Sequence, residues 1–127
     1  MKKLILFLLL VQSASASWCH IVDWRSYPGA RVKGQCSIYA KAVESDLESR
    51  GYTAHVIHYR WRHRDHTGIH AIVLFRYGGT WSVVDNERTD PCPVGKFVTP
   101  ENGWTANGLL RAVKFFDSRA TEITYVY

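Results

Sequence analysis

The sequence predicts an α+β domain in which an early helix packs on an antiparallel β-sheet. One indication is a set of residues at i, i+4, i+7 and i+11, which falls on one face of a helix: Cys36, Ala40, Val43 and Leu47. Another is the pair Gly78-Gly79 between two strand-like runs, which is typical of a tight hairpin. No repeat, low-complexity tract or linker divides the chain. We therefore expect one small domain.

Residues 1–16 have the features of a secretory signal peptide. Two lysines follow Met1, Leu4 to Val11 is an unbroken apolar run, and Ala14-Ser15-Ala16 fits the cleavage rule of small residues. The apolar run is too short for a membrane-spanning helix, which needs about 20 residues. We therefore expect an exported protein, periplasmic or secreted, without a stable membrane anchor, whose domain covers residues 17–127.

The first helix and the hairpin region follow from local patterns. The helix begins at Cys36 and ends before Gly51, a residue typical of helix C-termini. Runs rich in β-branched and aromatic residues predict three strands, Thr53–Trp61, Ile69–Tyr77 and Thr80–Asp85.

The remaining elements are a loop, a helix and a strand. Pro and Asp residues favour a loop over Asn86–Val94. Helical spacing predicts a second helix over Asn102–Ser118. Its inward residues are expected to be Leu109, Leu110, Val113 and Phe116. Alternation predicts a final strand over Thr121–Tyr127.

The net charge of the chain argues against nucleic acid as a binding partner. The chain carries 16 Lys and Arg against 11 Asp and Glu, a net charge of +5. Without the two lysines of residues 1–16 the domain would carry +3, too few positive charges for a nucleic-acid-binding surface. We expect a monomer that acts on a protein or peptide, which includes the peptides of a cell wall.

Three cysteines in an exported protein leave one without a partner. Cys19 lies near the expected N-terminus and Cys92 lies in the loop-like run Asp90-Pro91-Cys92-Pro93, so we expect a disulfide between them. Such a bridge closes a long loop and typically stabilises a domain by about 2–5 kcal/mol. Cys36 then remains as the free thiol.

Cys36 stands where nucleophilic chemistry is favoured. The positive end of a helix and its unpaired N–H groups stabilise a thiolate. The same N–H groups can hold an oxyanion. His70 lies at the start of the predicted strand Ile69–Tyr77. Asp85 is the last residue of the predicted strand Thr80–Asp85, in the run Trp81-Ser-Val-Val-Asp85. The three residues are candidates for a Cys-His-Asp triad.

The glycine pair sets the register of the hairpin. A two-residue loop at Gly78-Gly79 pairs Tyr77 with Thr80 and Ile72 with Asp85. His70 then lies on the same sheet face as Asp85, at a diagonal distance of about 7–8 Å between backbones. Asp85 is therefore expected to orient the imidazole of His70, following the logic of the Ser-His-Asp triad.

These blocks resemble the transglutaminase-like superfamily, and most closely its bacterial transglutaminase-like cysteine peptidases. The blocks are Gly34-Gln35-Cys36, Gly51-Tyr52, His70-Ala71-Ile72-Val73 and Trp81-Ser82-Val83-Val84-Asp85-Asn86. The resemblance covers Gly34 to Asn86. It implies a papain-like fold and a catalytic triad of Cys36, His70 and Asp85.

The predicted activity is hydrolysis of a peptide or amide bond without a cofactor. Cys36 attacks the carbonyl, His70 transfers the proton, and the oxyanion is stabilised by the Cys36 N–H with a further donor, for which Gln35 and Trp24 are candidates. Two alternatives stay open. One is a peptidoglycan amidase or endopeptidase of another papain-like branch, which uses a third polar residue other than Asp85. The other is an inactive secreted binding module.

Two clusters of polar residues permit more than one interpretation. Five histidines from His55 to His70 do not have the disciplined spacing of a structural zinc site, so we expect no metal. Arg60, Arg62 and Arg64 lie at alternate positions and share one strand face. That face is either solvated or recognises an acidic substrate.

Overall fold

The computed structural model describes residues 21–95 and 106–127, which form an α+β fold. Its elements in chain order are α1 (Cys36–Ser49), β1 (Ala54–His63), β2 (His66–Tyr77), β3 (Thr80–Val84), β4 (Cys92–Pro93), α2 (Ala106–Phe116) and β5 (Ala120–Val126). The strands form a five-stranded antiparallel sheet in the order β4-β3-β2-β1-β5. The prediction of an α+β fold with a helix on an antiparallel sheet is therefore confirmed.

Each helix covers one face of the sheet. The side chains of a strand alternate between the two faces, and β2 shows this with Val73 on one side and Leu74 on the other. Val73 belongs to a core cluster with Tyr39 and Val43 of α1. Leu74 belongs to a second cluster with Val113 of α2. The sheet is therefore buried on both sides, by α1 on one face and by α2 on the other.

The β2–β3 hairpin has the predicted register. Gly78 and Gly79 have φ of +58° and +83°, the left-handed conformations that a two-residue loop requires. Tyr77 pairs with Thr80, and the ladder runs to the pair Val73–Val84. Asp85, the residue directly after β3, is consequently brought next to His70 of β2.

Strand β1 pairs with β2 without interruption from Ala54–Phe75 to His63–His66. Its pairing with β5 shifts register twice, beside Tyr59 and beside Trp61. The extra residues in β5 are two threonines, Thr121 and Thr124, whose hydroxyls donate to strand β1 carbonyls at 3.2 and 3.1 Å. These bulges twist the edge strand without leaving the local polar groups unpaired.

The structure corrects several details of the predicted elements. β2 begins at His66, three residues earlier than predicted, because the hairpin with β1 continues to its turn. The expected loop after β3 contains the short strand β4, which pairs with Ser82 and Val83. In α2 the buried residues are Leu109, Ala112, Val113 and Phe116, whereas Leu110 is only half-buried. The predicted start of that helix lies outside the described residues.

No helix within residues 21–95 and 106–127 is long and apolar enough to cross a membrane. The predicted signal peptide, residues 1–16, lies outside the described part of the chain.

Candidate active site

Cys36 is the first residue of α1, as predicted. The preceding residue, Gln35, makes no side-chain capping hydrogen bond, and the first turn has no acidic residue. The N-terminal N–H groups of the helix are therefore not occupied by a carboxylate that would compete for them. Cys36 itself is half-buried and packs against the core cluster under α1. Its position at the positive end of the helix suits a bound oxyanion.

His70 and Asp85 form the predicted pair. The His70 Nε2 lies 2.7 Å from Asp85 Oδ2, and the two side chains are only 12% and 5% exposed. The opposite Asp85 oxygen, Oδ1, accepts hydrogen bonds from the backbone N–H groups of Glu87 and Arg88. Asp85 is thus fixed by the turn that follows β3, and it holds the imidazole through its remaining oxygen.

Cys36 meets the same imidazole. Its side chain is close enough to His70 to help raise the pKa of the imidazole. Because Nε2 is engaged by Asp85, the nitrogen left for sulfur is Nδ1. The three residues that the sequence predicted as a triad thus lie together, with the imidazole between the thiol and the carboxylate.

The surroundings of His70 favour its charged form. Burial by itself lowers the pKa of the imidazole, but the hydrogen bond and charge of Asp85 outweigh that effect, and Cys36 adds to it. The net result is a pKa of His70 raised above its ordinary value of 6.5. A positively charged imidazole beside sulfur is the arrangement that favours a thiolate.

Asn86 connects this strand end to the segment that leads into α1. Its Nδ2 donates to the Val32 carbonyl at 2.8 Å, and its own carbonyl accepts from the Arg31 N–H at 2.7 Å. Arg31 has a φ of +61°, so the chain turns sharply there before it reaches Cys36. The residue after Asp85 therefore helps to place the N-terminus of α1 beside His70.

A second polar network supports the imidazole from the other side. The ring of Tyr59 meets that of His70 edge-on, with centroids 5.7 Å apart. The Tyr59 hydroxyl donates to Asp117 Oδ2 at 2.7 Å, and Asp117 accepts two hydrogen bonds from the Arg119 guanidinium. Burial and the Asp117 carboxylate raise the pKa of Tyr59, so the phenol remains a donor.

Sequence reasoning missed this network. Tyr59 and Asp117 are 58 residues apart. Asp117 follows the last residue of α2 directly and Arg119 precedes the first residue of β5, so each is at an element boundary. The only signal in the sequence was an Asp and an Arg close together after an amphipathic helix, which is common at helix ends.

The two candidate oxyanion donors lie near Cys36 in different settings. Gln35 is half-buried, and its backbone carbonyl accepts the Tyr39 N–H at 3.0 Å at the start of α1. Gly29 packs so closely that an added Cβ would lie 2.8 Å from that carbonyl. Trp24 is buried against Phe75 with ring centroids 5.0 Å apart, in the cluster that Cys36 contacts. Their role toward an oxyanion stays a prediction.

The predicted disulfide also stays a prediction, since Cys19 lies outside the described residues. Cys36 and Cys92 are both free in the structure. Val22, three residues after Cys19, lines a cavity of about 620 Å³ together with Pro91, the neighbour of Cys92.

Within residues 21–95 and 106–127, no group of three or more His, Cys, Asp or Glu side chains is arranged to hold a metal ion. Of the predicted histidine cluster, His55 is half-buried and His63 and His66 are exposed in the β1–β2 hairpin. His58 contacts Tyr127, with Nε2 3.2 Å from the hydroxyl. Only His70 of these five takes part in the triad contacts.

Comparisons of the chain with protein-family models, curated proteins and solved structures give no match.

Proposed function

We propose that this protein is an exported cysteine hydrolase that cleaves a peptide or amide bond with a triad of Cys36, His70 and Asp85. The observation that carries the proposal is the largely buried pair of His70 and Asp85, with 2.7 Å between His70 Nε2 and Asp85 Oδ2, and Cys36 close to the same imidazole at the start of α1. A nucleophile, a base within hydrogen-bonding reach and a group that orients the base are the requirements of covalent catalysis.

The proposed reaction has two steps. In the first, the Cys36 sulfur attacks the substrate carbonyl carbon, and the charged His70 ring gives its proton to the leaving amine. In the second, His70 takes a proton from water, whose oxygen attacks the thioester carbonyl; the C–S bond then breaks, which releases the acid and restores the Cys36 thiolate beside the charged His70 ring. An amine in place of water would give acyl transfer. The chemistry needs no cofactor.

The oxyanion of each tetrahedral intermediate would lie at the N-terminus of α1. The Cys36 backbone N–H is not capped by the Gln35 side chain, so it is suited to donate to that oxygen. Gln35 and Trp24 are the candidates for a second donor. One well-placed donor is worth about 10²–10³ in turnover in other hydrolases.

The order and contacts of these residues support a transglutaminase-like, papain-like core. In the proposed fold the nucleophile begins a helix, and the base and the carboxylate lie on adjacent antiparallel strands, as found here for α1, β2 and β3. The rival peptidoglycan enzyme would use a third residue other than Asp85. The short contact between Asp85 and His70 supports Asp85 in that position instead.

The proposal includes processing after Ala16 and export to the periplasm or the exterior, where a Cys19–Cys92 disulfide would form. The basis for this part is the sequence of residues 1–16. N-terminal sequencing of protein recovered from the periplasm and the medium tests it, with Ser17 as the expected first residue.

Activity is tested by incubating purified protein of residues 17–127 with periplasmic extract and, separately, with purified peptidoglycan. Wild type is compared with Cys36→Ala and, as a matched control, with Cys92→Ala under reducing conditions. New peptide termini detected by mass spectrometry with wild type and Cys92→Ala, but not with Cys36→Ala, are the expected result. A protein whose Cys36 also reacts no faster with iodoacetamide than a free cysteine would instead be a binding module.

A further inference from the structure

A cavity lies between the segment that precedes α1 and the loop that leads into β4. It has a volume of about 620 Å³ and is lined by residues 22–25 on one side and by residues 89–91 on the other. This volume is within the range of small-molecule sites in proteins. We call this feature the Thr89 cavity.

Both walls of the Thr89 cavity are fixed to the core. On one side, the hydroxyl of Tyr39, a fully buried residue of α1, donates to the Trp24 carbonyl at 2.8 Å. On the other side, the guanidinium of Arg88 donates to the Phe116 carbonyl at 2.7 Å, and Arg88 directly precedes Thr89. The cavity is therefore present before a ligand binds, which reduces the entropy that binding costs.

Thr89 brings an unpartnered hydroxyl to the wall of this cavity. The residue is only 3% exposed, and within residues 21–95 and 106–127 its Oγ1 is buried without a hydrogen-bond partner. Burial of a hydroxyl without a partner destabilises a protein, and such groups are uncommon in folded chains. A ligand that donates a hydrogen bond to this oxygen would remove that penalty.

Carboxylates outnumber cations around the Thr89 cavity. Asp23 and Asp90 both line it and are exposed, and Arg25 is the only cation among the described lining residues. No ion pair in the described part of the chain involves any of the three. The lining therefore has a net negative charge, although the chain as a whole has a net charge of +5. Such a lining attracts a cationic ligand more than an anionic one.

The remaining lining is apolar. Val22 and Pro91 are half-buried, and Trp24 is 5% exposed. A hydrocarbon stem that lies against these side chains is removed from water, which stabilises the bound state. The lining thus combines apolar surface with oxygen atoms that can accept hydrogen bonds.

We propose that the Thr89 cavity binds a primary ammonium group carried on a short hydrocarbon stem. An ammonium has three N–H donors and no acceptor, so it matches the Thr89 hydroxyl oxygen and the carboxylates of Asp23 and Asp90. A free alkylamine and the lysine side chain of a peptide share this chemistry. The proposal does not depend on the triad, and its failure would leave the proposed hydrolase unaffected.

Binding is measured by NMR titration of ¹⁵N-labelled protein, with the backbone N–H signals of Trp24 and Thr89 as reporters of the cavity. The probes are butylamine and an acetylated, amidated pentapeptide with a central lysine among alanines. Butanol and the same peptide with norleucine are the neutral controls. We expect each ammonium probe to bind about tenfold tighter than its neutral control at low salt, because two exposed ion pairs of ordinary strength give about that factor. The preference should shrink as salt is added.

The two sources of the ammonium group are distinguished by the same titrations. Tighter binding of the lysine peptide than of butylamine would assign the cavity to a peptide side chain. Equal or tighter binding of butylamine would assign it to a free amine. Equal affinity of both ammonium probes and their neutral controls would overturn the proposal.

Three variants test the residues of the cavity. The double variant of Asp23→Asn and Asp90→Asn should abolish the ammonium preference, whereas Asp65→Asn, which removes an exposed carboxylate in the turn between β1 and β2, should preserve it. Thr89→Val should weaken butylamine binding about fivefold without lowering the melting temperature, because the hydroxyl it removes has no partner. A preference that persists in the double variant, or butylamine binding that Thr89→Val leaves unchanged, would refute the assignment of these residues to an ammonium site.

Discussion

Replacing Asp85 with Asn should remove most of the activity and preserve the fold. Asp85 accepts three hydrogen bonds: its Oδ1 receives the N–H groups of Glu87 and Arg88, and its Oδ2 receives His70. An asparagine has only one acceptor oxygen. If that oxygen keeps the two backbone contacts of the turn, the amide NH₂ is directed at His70 Nε2.

A donor at Nε2 reverses the tautomer of the neutral imidazole. The ring proton must then be on Nδ1, which faces Cys36 and can no longer accept the thiol proton. The same change removes the carboxylate that raises the pKa of His70. In a serine-protease triad this substitution costs about 10⁴ in turnover. A thiolate–imidazolium pair is already ionised, so we expect a loss of about 10²–10⁴.

Two assays measure the effect of Asp85→Asn. One is the rate of Cys36 alkylation by iodoacetamide at pH 7, which needs no substrate, and the other is turnover of any peptide that the wild type cleaves. Asp65→Asn, an exposed carboxylate in the turn between β1 and β2, is the matched control. A thermal melt checks that the fold persists. If Asp85→Asn turns over at near the wild-type rate while His70→Ala is inactive, the third member of the triad lies elsewhere.

Three further predictions concern protonation and redox state. The NMR titration of His70 should give a pKa above 6.5 that falls in Asp85→Asn. Protonated His70 should stabilise the folded protein fully below about pH 6.5, and this stabilisation should be lost as the pH rises through the raised pKa. A titration of His70 at its ordinary pKa of 6.5 would contradict the prediction. Burial opposes ionisation of Asp117, but its hydrogen bonds lower its pKa from 3.8 to about 2. Ionised Asp117 should therefore contribute about 2 kcal/mol to the free energy of unfolding above pH 4, and this contribution should be lost as the pH falls toward 2. In urea unfolding, Asp117→Asn should lower the free energy of unfolding by about that amount at pH 7 and by much less at pH 2. Mass mapping of non-reduced protein from the periplasm should find a Cys19–Cys92 bridge. A dominant bridge that contains Cys36 would refute both this pairing and the proposal that Cys36 is the nucleophile.

The pairing of His70 with Asp85 was predictable because it depends on short-range rules. Gly78-Gly79 defines a two-residue loop, the loop defines the register, and the period of two in a strand decides which side chains share a face. The start of α1 at Cys36 was equally local, since it follows from the spacing of apolar residues and from Gly51 at the other end.

The contact between Cys36 and His70 was expected from chemistry and could not be derived from geometry. It depends on how α1 is placed relative to the sheet, and that placement depends on contacts such as Asn86 to Val32, which join residues 54 positions apart. No periodicity in the sequence specifies them. The chemistry of the three residue types, together with the resemblance, supplied this part of the prediction.

The sequence did not predict the network around Tyr59, and the physical reason for this is different. The pairing of β1 with β5 contains two bulges, so even a correct assignment of both strands would have given the wrong register. Strand β4 was missed because it has only two residues and contains Pro93, which is tolerated at a sheet edge but argues against a strand in the sequence.

The distribution of buried polar groups provides an argument for function that is independent of any resemblance. Most of the core is apolar, yet Asp85 and Asp117 are buried and form hydrogen bonds with His70 and with its neighbour Tyr59, and Asn86 is buried next to Asp85. Buried charged groups are costly to desolvate, and well-packed apolar residues of similar volume often give equal or greater stability. Their concentration at one end of the sheet is therefore not explained by stability alone. Such a cluster is expected where a titratable group must be held in one orientation, and His70 is the titratable group that contacts both Asp85 and the Tyr59 ring.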